Sequence, residues 1–204
     1  MKYFLSFSAL WILVLFAAAF AYGQPKPSPS PTPSPTPVKI ERITKFDGNV
    51  DFPKVSGWNL TPKHVYPTPE LGYSVNYESP EGGRVTVYVY NGGQKNIPNT
   101  LTGVVADEMN RAKSDIQAAV NAGIYENAKV LRSETINFGG PNGRVKSLYA
   151  SYDLSARGNQ LHSEIYLFPY QNYFVKIRAT RPKSLATSEA VADLLTELDV
   201  LFLR

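Results

Sequence analysis

Between Arg84 and Tyr90 the side chains alternate without a break. Val85, Val87 and Val89 fall on one side, and Thr86, Tyr88 and Tyr90 on the other. A period of two is that of a strand, whose successive side chains point to opposite faces. Tyr73–Tyr77 alternates in the same way, and Ser79-Pro80-Glu81-Gly82-Gly83 supplies a turn between the two runs, so together they predict a hairpin. The period then changes. Leu101, Val105, Met109, Ala112, Ile116 and Val120 recur at helical spacing, which predicts an amphipathic helix over 101–122 with Gly123 at its C-terminus. Asp107, Glu108, Arg111, Lys113 and Asp115 lie mostly off that stripe and read as a solvated face. Beyond it, strand-forming runs cover 129–138, 145–154, 161–168 and 173–180. Three turns separate them: Phe138-Gly139-Gly140-Pro141-Asn142-Gly143, where Asn-Gly offers positive φ at low cost, Arg157-Gly158-Asn159, and Pro169–Asn172.

In the last two strands both faces keep apolar character. Tyr173, Val175, Ile177 and Ala179 oppose Phe174, Lys176, Arg178 and Thr180; His162, Glu164, Tyr166 and Phe168 oppose Leu161, Ser163, Ile165 and Leu167. Such strands are covered on both sides. Arg181-Pro182-Lys183 ends the sheet. Ser184 or Thr187 can cap a final helix with the stripe Val191, Leu194, Leu195 and Leu198, a wet acidic face of Glu189, Asp193 and Glu197, and Leu201–Leu203 continuing onto the core. The prediction is an α+β domain: an antiparallel sheet of about six strands flanked by helices, an α/β/α sandwich.

Upstream the pattern is of another kind. Residues 1–23 hold Lys2, an apolar run from Phe4 to Ala21 and small residues at Ala19, Ala21 and Gly23, which predicts a cleaved signal peptide. The run also approaches the ~20 residues that span a bilayer, so an uncleaved anchor is the alternative. Residues 24–38 form a linker of proline alternating with Ser, Thr or Lys, which holds polyproline II and would extend on the order of 40 Å. The domain itself is assigned to 39–204, with an irregular, Trp58-containing lead-in over 39–71 that also carries the triplet Asn59-Leu60-Thr61, an N-glycosylation acceptor in a suitable secretory pathway.

The chain has 204 residues, 43% of them apolar and 19% charged, with a formal net charge of +4. That is a globular balance, and its scattered basic residues argue against nucleic acid as a partner. It contains no cysteine, which excludes disulfides, thiol catalysis and Cys-ligated metals. Two histidines, His64 and His162, stand far apart with no HExxH spacing, so no metal ligand, cofactor residue or catalytic residue is assigned. His162 can share a face with Glu164 on its strand, and reads as a half-exposed structural histidine. Tyr88 and Tyr90 read as tyrosines covering a sheet beneath a helix or loop, with an aromatic binding platform as the alternative. Glu134, Asp153 and Glu164 are strand carboxylates that could project from one sheet. Facing Arg132, Lys146, Lys176 or Arg178, they read as members of cross-strand ion pairs.

The order of elements, with Asn172-Tyr-Phe-Val-Lys-Ile-Arg-Ala-Thr-Arg-Pro182 followed by Leu194-Leu195-Thr196-Glu197-Leu198, resembles the Mog1/PsbP-like fold. Leu71-Gly72-Tyr73-Ser74-Val75 is similar to the first strand of such domains. The resemblance spans 72–204, is one of pattern, and carries no binding residue over. It implies a non-catalytic domain of the kind found in photosystem accessory proteins, bacterial envelope proteins and a nuclear GTPase regulator; export excludes the nuclear role. Bacterial envelope members often carry a lipid on a cysteine, which this chain lacks. The expectation is therefore an exported, non-catalytic accessory or binding domain at the cell envelope, with an envelope protein or glycan as partner. Membrane contact would come only through an uncleaved N-terminal segment. The runner-up is a secreted hydrolase of an envelope glycan using Glu134, Asp153 and Glu164.

Overall fold

A computed structural model describes residues 50–185 and 188–203; the expected signal peptide, the linker, the first part of the lead-in and the candidate cap Thr187 lie outside them. The hairpin expected at the start is β3 (Tyr73–Glu78) and β4 (Arg84–Tyr90), and the later runs form β5 (Asn127–Asn137), β6 (Lys146–Ala156), β7 (Asn159–Tyr170) and β8 (Tyr173–Pro182). Two further strands of two residues each, β1 (Asn59–Leu60) and β2 (His64–Val65), add to β3, so the sheet has eight strands where about six were expected. All pairings are antiparallel. The long strands run β3-β4-β8-β7-β6-β5, with β4 on β8 joining the hairpin to the meander.

Turn chemistry accounts for the meander, with two corrections. Arg157 and Gly158 (φ +52° and +75°) and Gln171 and Asn172 (+48° and +67°) form two-residue turns whose left-handed backbone suits the twist of the flanking strands. The second turn is thus shorter than expected, and Pro169 belongs to β7. It is tolerated there because β6 pairs with β7 only as far as Leu167, so the missing N–H of proline interrupts no ladder on that side. Between β5 and β6, positive φ falls on Gly139 and Gly140 rather than on Asn142-Gly143. Gly143 is required for space: a Cβ there would sit 1.6 Å from the Phe138 carbonyl oxygen.

One helix covers each face of the sheet. Helix α1 (Val104–Asn121) lies over β5–β7, bonded through Lys113 Nζ to Ser133 Oγ (2.7 Å) and through Tyr90, whose hydroxyl donates to Glu108 Oε1 (2.6 Å). Its buried stripe includes Val105, Met109, Ala112 and Ile116, as expected, but also Glu108, which the pattern had placed on the wet face. Helix α2 (Glu189–Phe202) buries Val191, Leu194, Leu195 and Leu198 and leaves Glu189, Asp193 and Glu197 exposed. Its N-cap is Ser188, one residue beyond Thr187, and the Ser188 side chain makes no capping hydrogen bond. The α2 face of the sheet holds the valines of β4 and an aromatic cluster in which Phe168 meets Phe138 and Phe202 at 5.3 and 5.4 Å between ring centroids. Buried Asp199 fastens α2 to the β5–β6 turn by accepting from the backbone N–H groups of Arg144 and Val145.

The lead-in wraps onto this unit as its composition suggested. Trp58 Nε1 donates to the Ala190 carbonyl in the first turn of α2 (3.1 Å), and the Tyr77 hydroxyl donates to the Pro53 carbonyl (2.9 Å). Among the described residues no helix is long and apolar enough to cross a membrane.

Candidate functional site

Register decides which side chains meet. Tyr149 lies opposite Tyr166, Ser151 opposite Glu164, Asp153 opposite His162, and His162 opposite Arg181, so all of these but the serine bring large polar groups to the α2 face. They form one chain of contacts. Arg181 Nη1 donates to Glu164 Oε2 (2.6 Å) and its Nε to the Leu185 carbonyl (2.8 Å); the Tyr149 hydroxyl donates to Glu164 Oε1 (2.9 Å). The His162 ring stands between the carboxylates, 3.7 Å from Glu164 and 3.8 Å from Asp153, and Asp153 accepts from Lys183 at 2.6 Å. Glu164 and Arg181 are 9% and 5% exposed. They are the buried end of the network, and Asp153–Lys183 is its wet end.

Above the buried end opens a cleft of about 350 Å³, the size of a small-ligand pocket. Its floor is Tyr149, Glu164 and Arg181, its outer wall is Arg132 on β5, and its far wall is Glu189 and Leu195 of α2. Arg132 lies over the Tyr149 ring at 5.6 Å and pairs with Glu134 at 2.5 Å, so an exposed cation stands at the entrance.

Burial alone would push the Glu164 carboxyl up. The His162 ring, the charge and hydrogen bond of Arg181 and the Tyr149 hydroxyl outweigh it and hold the group at about 2. The Tyr149 hydroxyl is pushed up to about 12, by burial and then by the Glu164 charge. Glu164 is therefore ionised and Tyr149 protonated throughout the physiological range. A glycan hydrolase needs one carboxylic acid kept protonated by a raised pKa. Glu164 is set the opposite way, the Lys183 hydrogen bond lowers Asp153, and exposed Glu134 is occupied by Arg132. The three carboxylates do share one sheet face, and all three stand in ion pairs. Of the four cations expected across from them, only Arg132 pairs with any of the three, and it does so with Glu134 on its own strand; Arg181 and Lys183, outside that set, serve Glu164 and Asp153. Arg181, read only as the end of the sheet, carried a visible signal: it continues the alternation of Val175, Ile177 and Ala179, and an arginine in phase with a core face is a buried charge.

The remaining candidates stand elsewhere. Exposed His64 on β2 packs edge-on against Tyr66, 4.7 Å between ring centroids, far in register from His162. Asn59 is exposed on β1, paired in register with Glu78. Tyr88 and Tyr90 lie under α1, flanking Lys176 at 5.1 and 5.2 Å, so they cover the sheet rather than form an open platform. Among the described residues no group of three His, Asp or Glu side chains could hold a metal ion.

No protein-family model and no curated protein matches the chain. Among solved structures it is similar to the solution structure of cyanobacterial PsbP (CyanoP) from Synechocystis sp. PCC 6803, with 13% identity, a TM-score of 0.47, and 69% of this chain and 79% of that chain covered. It is also similar to the crystal structure of LpqN, described as involved in cell envelope biogenesis of Mycobacterium tuberculosis, with 12% identity, a TM-score of 0.37, and 72% and 79% covered.

Proposed function

We propose that the chain is an exported, non-catalytic accessory domain of the cell envelope that binds its partner in the cleft between the sheet and α2. The observation that carries this reading is the cleft floor. A formed cavity lies over a Glu164–Arg181 pair whose charges are mutually satisfied and whose carboxyl is locked ionised, an arrangement suited to hydrogen-bonded recognition and unsuited to proton transfer. The apolar leader and proline-rich linker support export. The partner class is an envelope protein or glycan.

A photo-crosslinking residue placed at Ser188 or Glu189, the cleft positions away from the sheet edge, in the full chain and in its own cells, tests the reading. The cleft positions should capture one envelope component that the same probe at Glu81, on the β3–β4 turn, does not. That component should bind the purified chain, and Ala192→Trp, which fills the cleft, should weaken binding about tenfold or more. Equal capture from Glu81, or release of sugar from envelope glycan that Glu164→Gln abolishes, would overturn it.

A further inference from the structure

The meander leaves one long strand without an outer neighbour among the described residues. β5 runs eleven residues along the sheet edge, whereas the opposite edge is occupied by the two-residue strands β1 and β2. Eight of the eleven residues of β5 are exposed, including Val130 (56%) and Leu131 (42%). An exposed edge carries a row of unpaired N–H and C=O groups and is a template for another strand. Two features restrict what can add to it: a bulge between Val130 and Arg132, and the charges Arg132 and Glu134, two residues apart on the α2 face.

From these restrictions we infer that β5 pairs with β5 of a second copy of this chain, antiparallel about a two-fold axis through Ser133. A two-fold normal to the sheet places residues of the same face opposite one another, so outside the bulge the axis must pass through a residue rather than between two. Centred on Arg132, it sets two guanidinium groups face to face; centred on Glu134, two carboxylates. Centred on Thr135, it puts Glu134 against Ile136 and carries Arg132 past the partner strand's end. Centred on Ser133, each Arg132 lies opposite the partner's Glu134 and the reverse, while Val130 and Leu131 at the bulge meet the partner's Thr135 and Ile136. The Arg132–Glu134 pair within one strand thus becomes a square of alternating charges. Opposite charges directly across a ladder stabilise it and like charges oppose it, so the same residues that blunt the edge against other strands select this one. The result is a continuous two-copy sheet, independent of what occupies the cleft.

The absence of cysteine makes the test direct. The full chain carrying Ser133→Cys, expressed in its own cell envelope and exposed to copper-phenanthroline, is read as a disulfide dimer on a non-reducing gel. Residues opposite one another in an antiparallel pair have Cα atoms about 4.5–5.5 Å apart, within the reach of a disulfide. The dimer should form at least about tenfold faster than with Ser114→Cys on the exposed side of α1. Arg132→Glu and Glu134→Arg, each added to Ser133→Cys, should each abolish that advantage, and the two together should restore it. Three results would overturn the inference: Ser133→Cys no faster than Ser114→Cys, a rate indifferent to charge reversal, or a crosslink to a different protein. The cleft-probe experiment reads none of these, so the two readings stand or fall separately.

Discussion

Each face of this sheet buries charge beneath a helix, and the two faces do it differently. Beneath α2, Glu164 and Arg181 meet at 2.6 Å with a tyrosine hydroxyl completing the carboxylate's shell. Beneath α1, Lys176 is half-buried between the rings of Tyr88 and Tyr90, with no carboxylate within 4 Å among the described residues; Arg178 donates to the Tyr125 hydroxyl (2.7 Å) and to Ser163 Oγ (3.3 Å). The α2 face satisfies its two sheet ions with each other; on the α1 face the two sheet cations rest on rings and hydroxyls, and buried Glu108 of the helix takes the Tyr90 hydroxyl and Arg111 (3.2 Å) instead. A charge whose counter-charge is removed in a dry site is costly, whereas a cation on aromatic faces gives up only a modest attraction. The tight pair also lines the cleft, so the face whose ions pair directly is the one that carries it.

The largest expected effect follows from that asymmetry. Arg181→Met strands the Glu164 carboxylate and should cost about 3–5 kcal/mol in urea unfolding, while Glu164→Leu combined with Arg181→Met should recover most of it. Lys176→Met keeps an apolar stem between the two tyrosines and should cost about 1 kcal/mol or less. Equal losses from the two single substitutions would break the comparison.

Acid should act next, and on one face. Glu164 has its carboxyl at about 2 in the folded chain against an ordinary 4.5, so the unfolded chain takes up the proton first as pH falls. Its contribution, roughly 3 kcal/mol, is complete above pH 4.5 and is lost as pH falls toward 2. Urea midpoints at pH 7 and pH 3 for the native chain and Glu164→Gln should diverge accordingly; parallel losses would show that other groups govern acid sensitivity. Lys176 has the opposite sign. Burial lowers it from 10.5, so in alkali the chain should gain stability as pH rises toward 10.5, a gain that Lys176→Met removes.

How much of this is legible beforehand depends on whether a residue's role is local. The four meander strands, the hairpin and both helices show in periodicity because each needs one face apolar, and Val85–Val89 or Val191–Leu198 display it within one element. The two extra strands do not, because β1 and β2 exist only where the lead-in meets the free edge of β3. Glu108 reads as a surface residue until Tyr90 is placed beneath it. Of the site, Glu164, Asp153 and His162 can be grouped from strand phase alone. Their assembly with Arg181 and Tyr149 depends on the registers of three strands, and the cleft depends on where α2 lands across them.

The finest test lies within a single strand. Tyr149 and Tyr152, three residues apart on β6, face opposite sides and are 6% and 2% exposed. The Tyr149 hydroxyl donates to the ionised Glu164, whereas the Tyr152 hydroxyl, opposite Ser163 on the α1 face, has no hydrogen-bond partner among the described residues. Losing a hydrogen bond to a charged group costs about 1.5–3 kcal/mol, and removing a buried hydroxyl that makes none is neutral or stabilising. Tyr149→Phe should therefore lower stability by about that amount, and Tyr152→Phe should change it by less than about 0.5 kcal/mol. A loss above about 1 kcal/mol for Tyr152→Phe would mean that a buried water serves its hydroxyl. The α1 face would then be the hydrated one, and its looser accommodation of Lys176 and Arg178 would rest on solvent as well as on rings.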